Sequence, residues 1–223
     1  APYPPLVSGG EGLDRYPDDA SALAARMAGV YGVPAEQVLP VRGLTHGLEL
    51  AWRLAARDGG SVEAPKAEPY DSLGAIYPAK GETAPEKSIV VIRALGSPEA
   101  VGEMAARVAP ALLVVDEGLI EFSDSASAVT VVADQPNLIV LRSLSLAYGL
   151  AGARVGAAIA QAQTLARLAS VLEPYALPEP LVRLAMQALD PSRMIETAER
   201  IASVRRERER IARELGRQMP VEP

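Results

Sequence analysis

Residues 137–156 read NLIVLRSLSLAYGLAGARVG. Leu138 to Leu141 is an apolar run long enough for one buried strand and too short for a helix. The run breaks into Arg142-Ser143-Leu144-Ser145, turns through Gly149 and Gly152, and resumes an apolar pattern at Val155. A strand that ends in small hydroxyl residues and leads into a glycine loop carrying one arginine, Arg154, suggests an anion site at a sheet edge.

On either side of this stretch, short apolar runs alternate with helical periodicity. Strands are expected over Gln37 to Val41, Ser61 to Ala64, Ser88 to Ile92, Ala111 to Val115 and Gly156 to Ala160. Helices are expected over Asp19 to Val30, Thr45 to Arg57, Pro69 toward Tyr77, Pro98 to Val108, Ala162 to Leu172 and Leu181 to Leu189. Buried-looking strands alternating with helices predict an α/β fold, a three-layer sandwich around a mostly parallel central sheet. Residues 1–18, rich in Pro and Gly, read as an N-terminal arm; 19–190 read as the large domain. From Pro191 a long charged helix runs through 191–223, with Ile195, Ala198, Ile201, Ala202, Val204, Ile211 and Leu215 as an apolar stripe. Its sign-alternating run from Arg205 to Arg210 reads as a solvated face.

Composition narrows the chemistry. The 223 residues are 49% hydrophobic and 22% charged, ordinary values for a globular protein. A net charge of −6 and a pI near 5.0 speak against nucleic acid or an anionic membrane as the main partner. No apolar run reaches a membrane span and no leader precedes the first motif, so a cytoplasmic location is expected. The absence of cysteine excludes disulfides, thiolate metal sites and cysteine nucleophiles. One histidine, His46, leaves little room for a histidine metal site, and Lys66, Lys80 and Lys87 are the only lysines.

Two further segments carry candidate binding groups. Arg42-Gly43-Leu44-Thr45-His46 lies between a strand and a helix, where the first amides and the positive helix end suit a phosphate. Thr45 as a plain N-cap and His46 as a surface or capping residue are the alternatives there. Asp116 ends an apolar strand, where ligands bind in open α/β sheets, or else it caps a loop.

The 137–156 stretch resembles the cofactor-lysine segment of histidinol-phosphate aminotransferases, which belong to the fold-type-I pyridoxal-phosphate enzymes. The match falls on Ser143, Ser145, Ala147, Tyr148, Gly149, Leu150, Ala151, Gly152, Arg154 and Gly156, while Leu146 occupies the lysine position. In the family that lysine holds the cofactor as a Schiff base and shuttles the proton, and leucine does neither. The resemblance implies pyridoxal 5'-phosphate as cofactor, with covalent attachment not expected, and amino-group transfer in histidine biosynthesis, catalytically impaired. The other reading is a non-catalytic dimeric scaffold or phosphate-ester-binding pseudoenzyme.

The same resemblance assigns cofactor contacts residue by residue. Gly43, Leu44 and Thr45 match the glycine turn that binds phosphate through backbone amides, with Ser143, Ser145 and Arg154 beside it. Asp116, in VVDEGLIEF, matches the aspartate that pairs with the pyridinium nitrogen, and Leu119 stands where a tyrosine bonds the phenolic oxygen. Tyr70 matches the aromatic that stacks on the ring, or is a core tyrosine. Ser97 stands at the asparagine of the asparagine-and-proline motif. Tyr16, in RYPD, matches a tyrosine that reaches the phosphate in the neighbouring subunit of a homodimer, or anchors a surface turn. The expected ligand is a small phosphate ester or amino acid. The family's small C-terminal domain, with the arginine that clamps the substrate carboxylate, is expected to follow the long helix and is not within these residues.

Overall fold

A computed structural model describes residues 13, 14, 16–78, 84–94 and 96–217. The chain opens with α1 (Ser21–Tyr31), β1 (Val38–Val41) and α2 (Gly43–Asp58), then β2 (Val62–Glu63), α3 (Tyr70–Ile76) and β3 (Ile89–Arg93). It continues through α4 (Pro98–Val108), β4 (Leu112–Asp116), β5 (Leu138–Ser143), β6 (Gly156–Ala160), α5 (Ala162–Ala169), α6 (Glu179–Ala188) and α7 (Pro191–Leu215).

The strands form one sheet in the order β1-β6-β5-β4-β3-β2. β2 through β5 pair in parallel; β6 is antiparallel to both β5 and β1, so it alone runs the other way. β5 is therefore an interior strand. The sheet edge that matters is the one formed by the strands' carboxyl ends, not a lateral edge.

Alternation along these strands divides the core in two. Val41, Val91, Val114, Ile139, Leu141 and Ala158 face α2, α3 and α5, where Leu48, Trp52, Leu54, Tyr70 and Leu168 pack on them. Val38, Leu113, Val115, Leu138, Val140 and Ile159 face α1, α4 and α6 on the other side. A sheet apolar on both faces needs a helix layer on each, which gives the three-layer α/β arrangement. The central strands β4 and β5 are buried along nearly their whole length.

Several element ends differ from the periodicity reading. α2 starts at Gly43 with Arg42 as its N-cap, so Thr45 lies in the first turn and does not cap it. α5 stops at Ala169, before Leu172. The expected stripe on α7 is two: at about 100° per residue, Ile195 and Val204 point to opposite sides. Among the described residues no helix is long and apolar enough to cross a membrane.

Candidate functional site

Strand register lines up the expected site residues along the carboxyl edge. Val41 pairs with Gly156 and Gly156 with Ser143; two residues deeper on β5, Leu141 pairs with Asp116, and Asp116 with Arg93. The turns after β1, β4 and β5 and the turn into β6 therefore open onto one ridge.

At the β6 end of the ridge the anion-binding groups converge. Gly43 has φ +75°, and a Cβ there would stand 2.9 Å from Arg154 Nη2. Glycine is thus what lets the guanidinium lie against the start of α2, where the first amides have no partner within the helix. Arg154 is itself left-handed, at φ 52°, and donates through Nη1 to Ser145 Oγ at 3.4 Å and to the Ala151 carbonyl at 3.1 Å. Ser145 N–H donates in turn to Ser143 Oγ at 3.1 Å, which fixes the loop leaving β5. A guanidinium, a hydroxyl and a helix amino end make a cup for a phosphate or a similar oxyanion.

Beside the cup stands Asp116. Its Oδ1 accepts the Gly118 N–H at 2.9 Å and its Oδ2 accepts the Tyr70 hydroxyl at 2.5 Å. Leu44 closes the gap to the cup: a Cβ at Gly118 would meet Leu44 Cδ1 at 2.8 Å and Asp116 Oδ1 at 3.2 Å. Burial, and then the bond to Asp116, push the Tyr70 hydroxyl up to about 12, so it remains a donor to the carboxylate. Tyr70 is thus both a core residue, 3% exposed, and a neighbour of the site.

The structure joins Gly43, Leu44, Asp116, Ser143, Ser145, Arg154 and Tyr70 through these contacts. Thr45 lies in the first turn of α2 with no capping bond of its own. Ser97 caps α4, its hydroxyl accepting the Ala100 N–H at 3.4 Å, and makes no contact with the cup among the described residues. Tyr16 is 77% exposed and stacks on Tyr175 of its own chain at 4.6 Å. Arg15 and residues 1–12 of the expected arm lie outside the described residues. Leu146 and Leu119 are 58% and 61% exposed. Lys66 and Lys87 are exposed, and Lys87 precedes β3 at the sheet's opposite edge; Lys80 lies outside the described residues.

Two groups escape a motif reading. Arg93 ends β3 next to Asp116, with its guanidinium carbon 5.6 Å from the Tyr70 ring centroid and Nε 3.5 Å from the Tyr70 hydroxyl. The one signal for it is a charge closing the apolar run IVVIR. The second is a carboxylate hub at Glu173, which pairs with Arg42, with Arg53 at 2.8 Å and with His46 Nε2 at 3.2 Å. His46 is buried, not a surface residue, and its Nδ1 accepts the Arg42 N–H at 3.0 Å, so it does help cap α2. Burial lowers its pKa and favours this neutral form. A cleft of about 550 Å³ opens behind Glu173, between Pro17–Ser21 and Leu172–Leu177, and none of Gly43, Asp116, Ser145 or Arg154 lines it.

Comparison with known proteins agrees with this fold. The profile of the family described as "Aminotransferase class I and II" matches residues 95–221. A histidinol-phosphate aminotransferase of Stenotrophomonas maltophilia is 35% identical over 232 residues, covering 88% of this chain and 64% of the relative. One from Aeromonas hydrophila is 31% identical over 240 residues, covering 92% and 66%. The chain therefore spans just under two thirds of the length of these curated relatives. Among solved structures, the histidinol-phosphate aminotransferase of Sinorhizobium meliloti, determined with pyridoxal-5'-phosphate, superposes with a TM-score of 0.76 at 22% identity, over 94% of this chain and 65% of that one. An L-threonine-O-3-phosphate decarboxylase from Porphyromonas gingivalis gives 0.65 at 20%, over 79% and 64%. At these identities the superpositions speak for the fold.

Proposed function

The chain belongs to the class I and II aminotransferase family, and from its site we propose a histidinol-phosphate-aminotransferase-like protein that holds a phosphopyridine cofactor without a covalent bond. The observation that carries this reading is the cup: Arg154 folded over Gly43 with Ser145 in reach, two pairings along β5 from the row that holds Asp116. Pyridoxal phosphate supplies, when bound, an electron sink for amino-acid chemistry. The residues fit its phosphate and its ring nitrogen. They do not fit its covalent attachment, because Leu146 offers no amine.

Binding and catalysis therefore part company. Arg154, Ser145 and the first turn of α2 hold the phosphate, Asp116 accepts from the ring nitrogen, and Ser143 braces the loop. Without a positioned amine at 146 the proton transfers of transamination lose a factor of about 10² to 10⁴ from acid–base catalysis alone. Amino-group transfer is accordingly impaired, and a phosphate-ester-binding role remains as the second reading, favoured by the intact cup. Residues 19–190 act as the large domain, a reading supported by the sheet and the buried residues of both cores lying within them. A homodimer would bring a partner's N-terminal arm to the site.

An absorbance titration with pyridoxal phosphate, followed by borohydride reduction and mass spectrometry, tests the reading. Saturable, phosphate-competitive binding with no adduct on any defined lysine is the expected result. Arg154→Ala removes one charge-assisted contact and weakens binding about 10- to 100-fold. A stoichiometric adduct on a single lysine would sink the non-covalent reading, and binding indifferent to Arg154→Ala would sink the cup.

A further inference from the structure

Arg93 is a cation that the apolar pattern of β3 does not call for. Odd-numbered β3 residues Ile89 and Val91 pack toward α2, and Arg93 continues that face, the same one that carries Asp116. Register places Arg93 directly beside Asp116, about 4.8 Å away between neighbouring strands. Its guanidinium lies over the Tyr70 ring, and only Nε spends a long hydrogen bond, on the Tyr70 hydroxyl. Among the described residues its terminal nitrogens carry no carboxylate partner. Of its five N–H donors, the four on the terminal nitrogens thus make no hydrogen bond among the described residues.

Asp116 accepts from Tyr70 and Gly118, and a carboxylate has about four acceptor sites, so room remains for a ring N–H. A ligand nitrogen over Asp116 would place neighbouring ring atoms within one strand spacing of Arg93. The Arg93 guanidinium, set against the Tyr70 ring whose hydroxyl meets Asp116, is in reach of an oxygen on that same ligand ring. We propose that Arg93 is a ligand-contacting residue of this site, holding the ionised ring hydroxyl of a 3-hydroxypyridine phosphate whose nitrogen meets Asp116. The inference rests on the phosphopyridine reading above and adds to it the chemical feature that selects the ring. It also accounts for a site in which Ser97 caps a helix and Leu119 is apolar, so that neither reaches for that oxygen.

The test uses the full chain with two probes, pyridoxamine 5'-phosphate and its 3-O-methyl ether, in calorimetric and ultraviolet titrations. The unaltered chain is expected to prefer the free hydroxyl about tenfold and to show the ionised-ring band on binding. Arg93→Gln erases that preference and returns the band toward the neutral form, while Arg93→Lys, which keeps the charge, retains most of both. Arg93 is exposed at the end of its strand, so neither variant disturbs the core. Equal weakening of both probes by Arg93→Gln would overturn the contact, leaving Arg93 a prop for Tyr70. No change in either probe, with binding still dependent on Arg154, overturns this inference alone. Failure of both probes to bind the unaltered chain overturns it together with the phosphopyridine reading.

Discussion

Leu146 sits on a turn whose backbone is held independently of its side chain, Gly149 N–H donating to the Leu146 carbonyl at 3.2 Å. With the side chain 58% exposed, Leu146→Lys removes little packing, and the stability change is expected within about 0.5 kcal/mol. The new amine enters a loop that already presents Ser145 to Arg154, so borohydride treatment with pyridoxal phosphate should give one adduct, at position 146. Peptide mapping checks this; an adduct spread over surface lysines would mean that the loop does not aim position 146 at the cup. Gly43 makes the complementary prediction. Alanine at φ +75° costs about 1 kcal/mol in backbone conformation, and its Cβ would stand 2.9 Å from Arg154 Nη2. Gly43→Ala should therefore lower the denaturation midpoint slightly and weaken phosphate competition severalfold, whereas Gly29→Ala, in open space, should leave phosphate competition unchanged. Asp116 and Arg154 were legible in the sequence because strand ends and glycine loops mark where ligands meet a sheet. Arg93 was not, since a charge closing an apolar run reads equally well as the point where a strand meets solvent.

At the scale of elements, the strands and helices were readable because apolar period and length decide them. The partners across the sheet were not. That β6 runs against its neighbours depends on a connection through residues 144–155 that holds only the short 3₁₀ turn Ala151–Ala153 and no crossover helix, and the start of α2 moved to Gly43 because a positive φ there begins the turn. Least visible was Glu173, which ties α2 to the segment after α5 across 127 residues from His46. Burial raises its carboxyl, but a backbone hydrogen bond, His46 and Arg42 outweigh that and bring it down to about 2. A depressed carboxyl contributes stability above its ordinary value of 4.5, and loses it as pH falls toward about 2. His46, lowered by burial, acts in the same direction from its ordinary 6.5 downward, because protonating Nδ1 breaks its bond to the Arg42 N–H. Denaturant titrations should thus show stability falling between pH 6.5 and 2, by about 2 kcal/mol from Glu173 after allowing for screening of a side chain 29% exposed. Glu173→Gln should cost about 1–3 kcal/mol at pH 7 and flatten the lower part of that slope. An unchanged slope would show that other carboxylates set the acid limb.

For the whole molecule, the odd element is α7. None of its residues is buried, and beyond Met194, half-buried against the core at its start, its hold on the body is polar: Arg205 donates to the Glu121 carbonyl at 2.9 Å, and Arg208 to the Phe122 carbonyl at 2.6 Å and to Asp124 at 3.0 Å. Val204, Ile211 and Leu215 follow one another at helical spacing, within about 60° of Arg208 around the helix, and are 52%, 43% and 41% exposed. A helix keeps such a stripe when something covers it, since each apolar side chain left in water forgoes roughly 1.5–3 kcal/mol. Self-association is the cover that the homodimer reading supplies. Sedimentation of the chain over a range of concentrations should then show a dimer, and Val204→Glu with Ile211→Glu should shift it toward monomer without loss of helix in circular dichroism. A chain that is monomeric at every concentration would remove the dimer, and with it the route by which Tyr16 reaches a neighbouring site. A dimer that survives the double substitution would instead move the interface off α7, toward the exposed Tyr16–Tyr175 stack. Tyr16→Ala in the same assay separates that case, because it should loosen the dimer only if the stack lies in the contact.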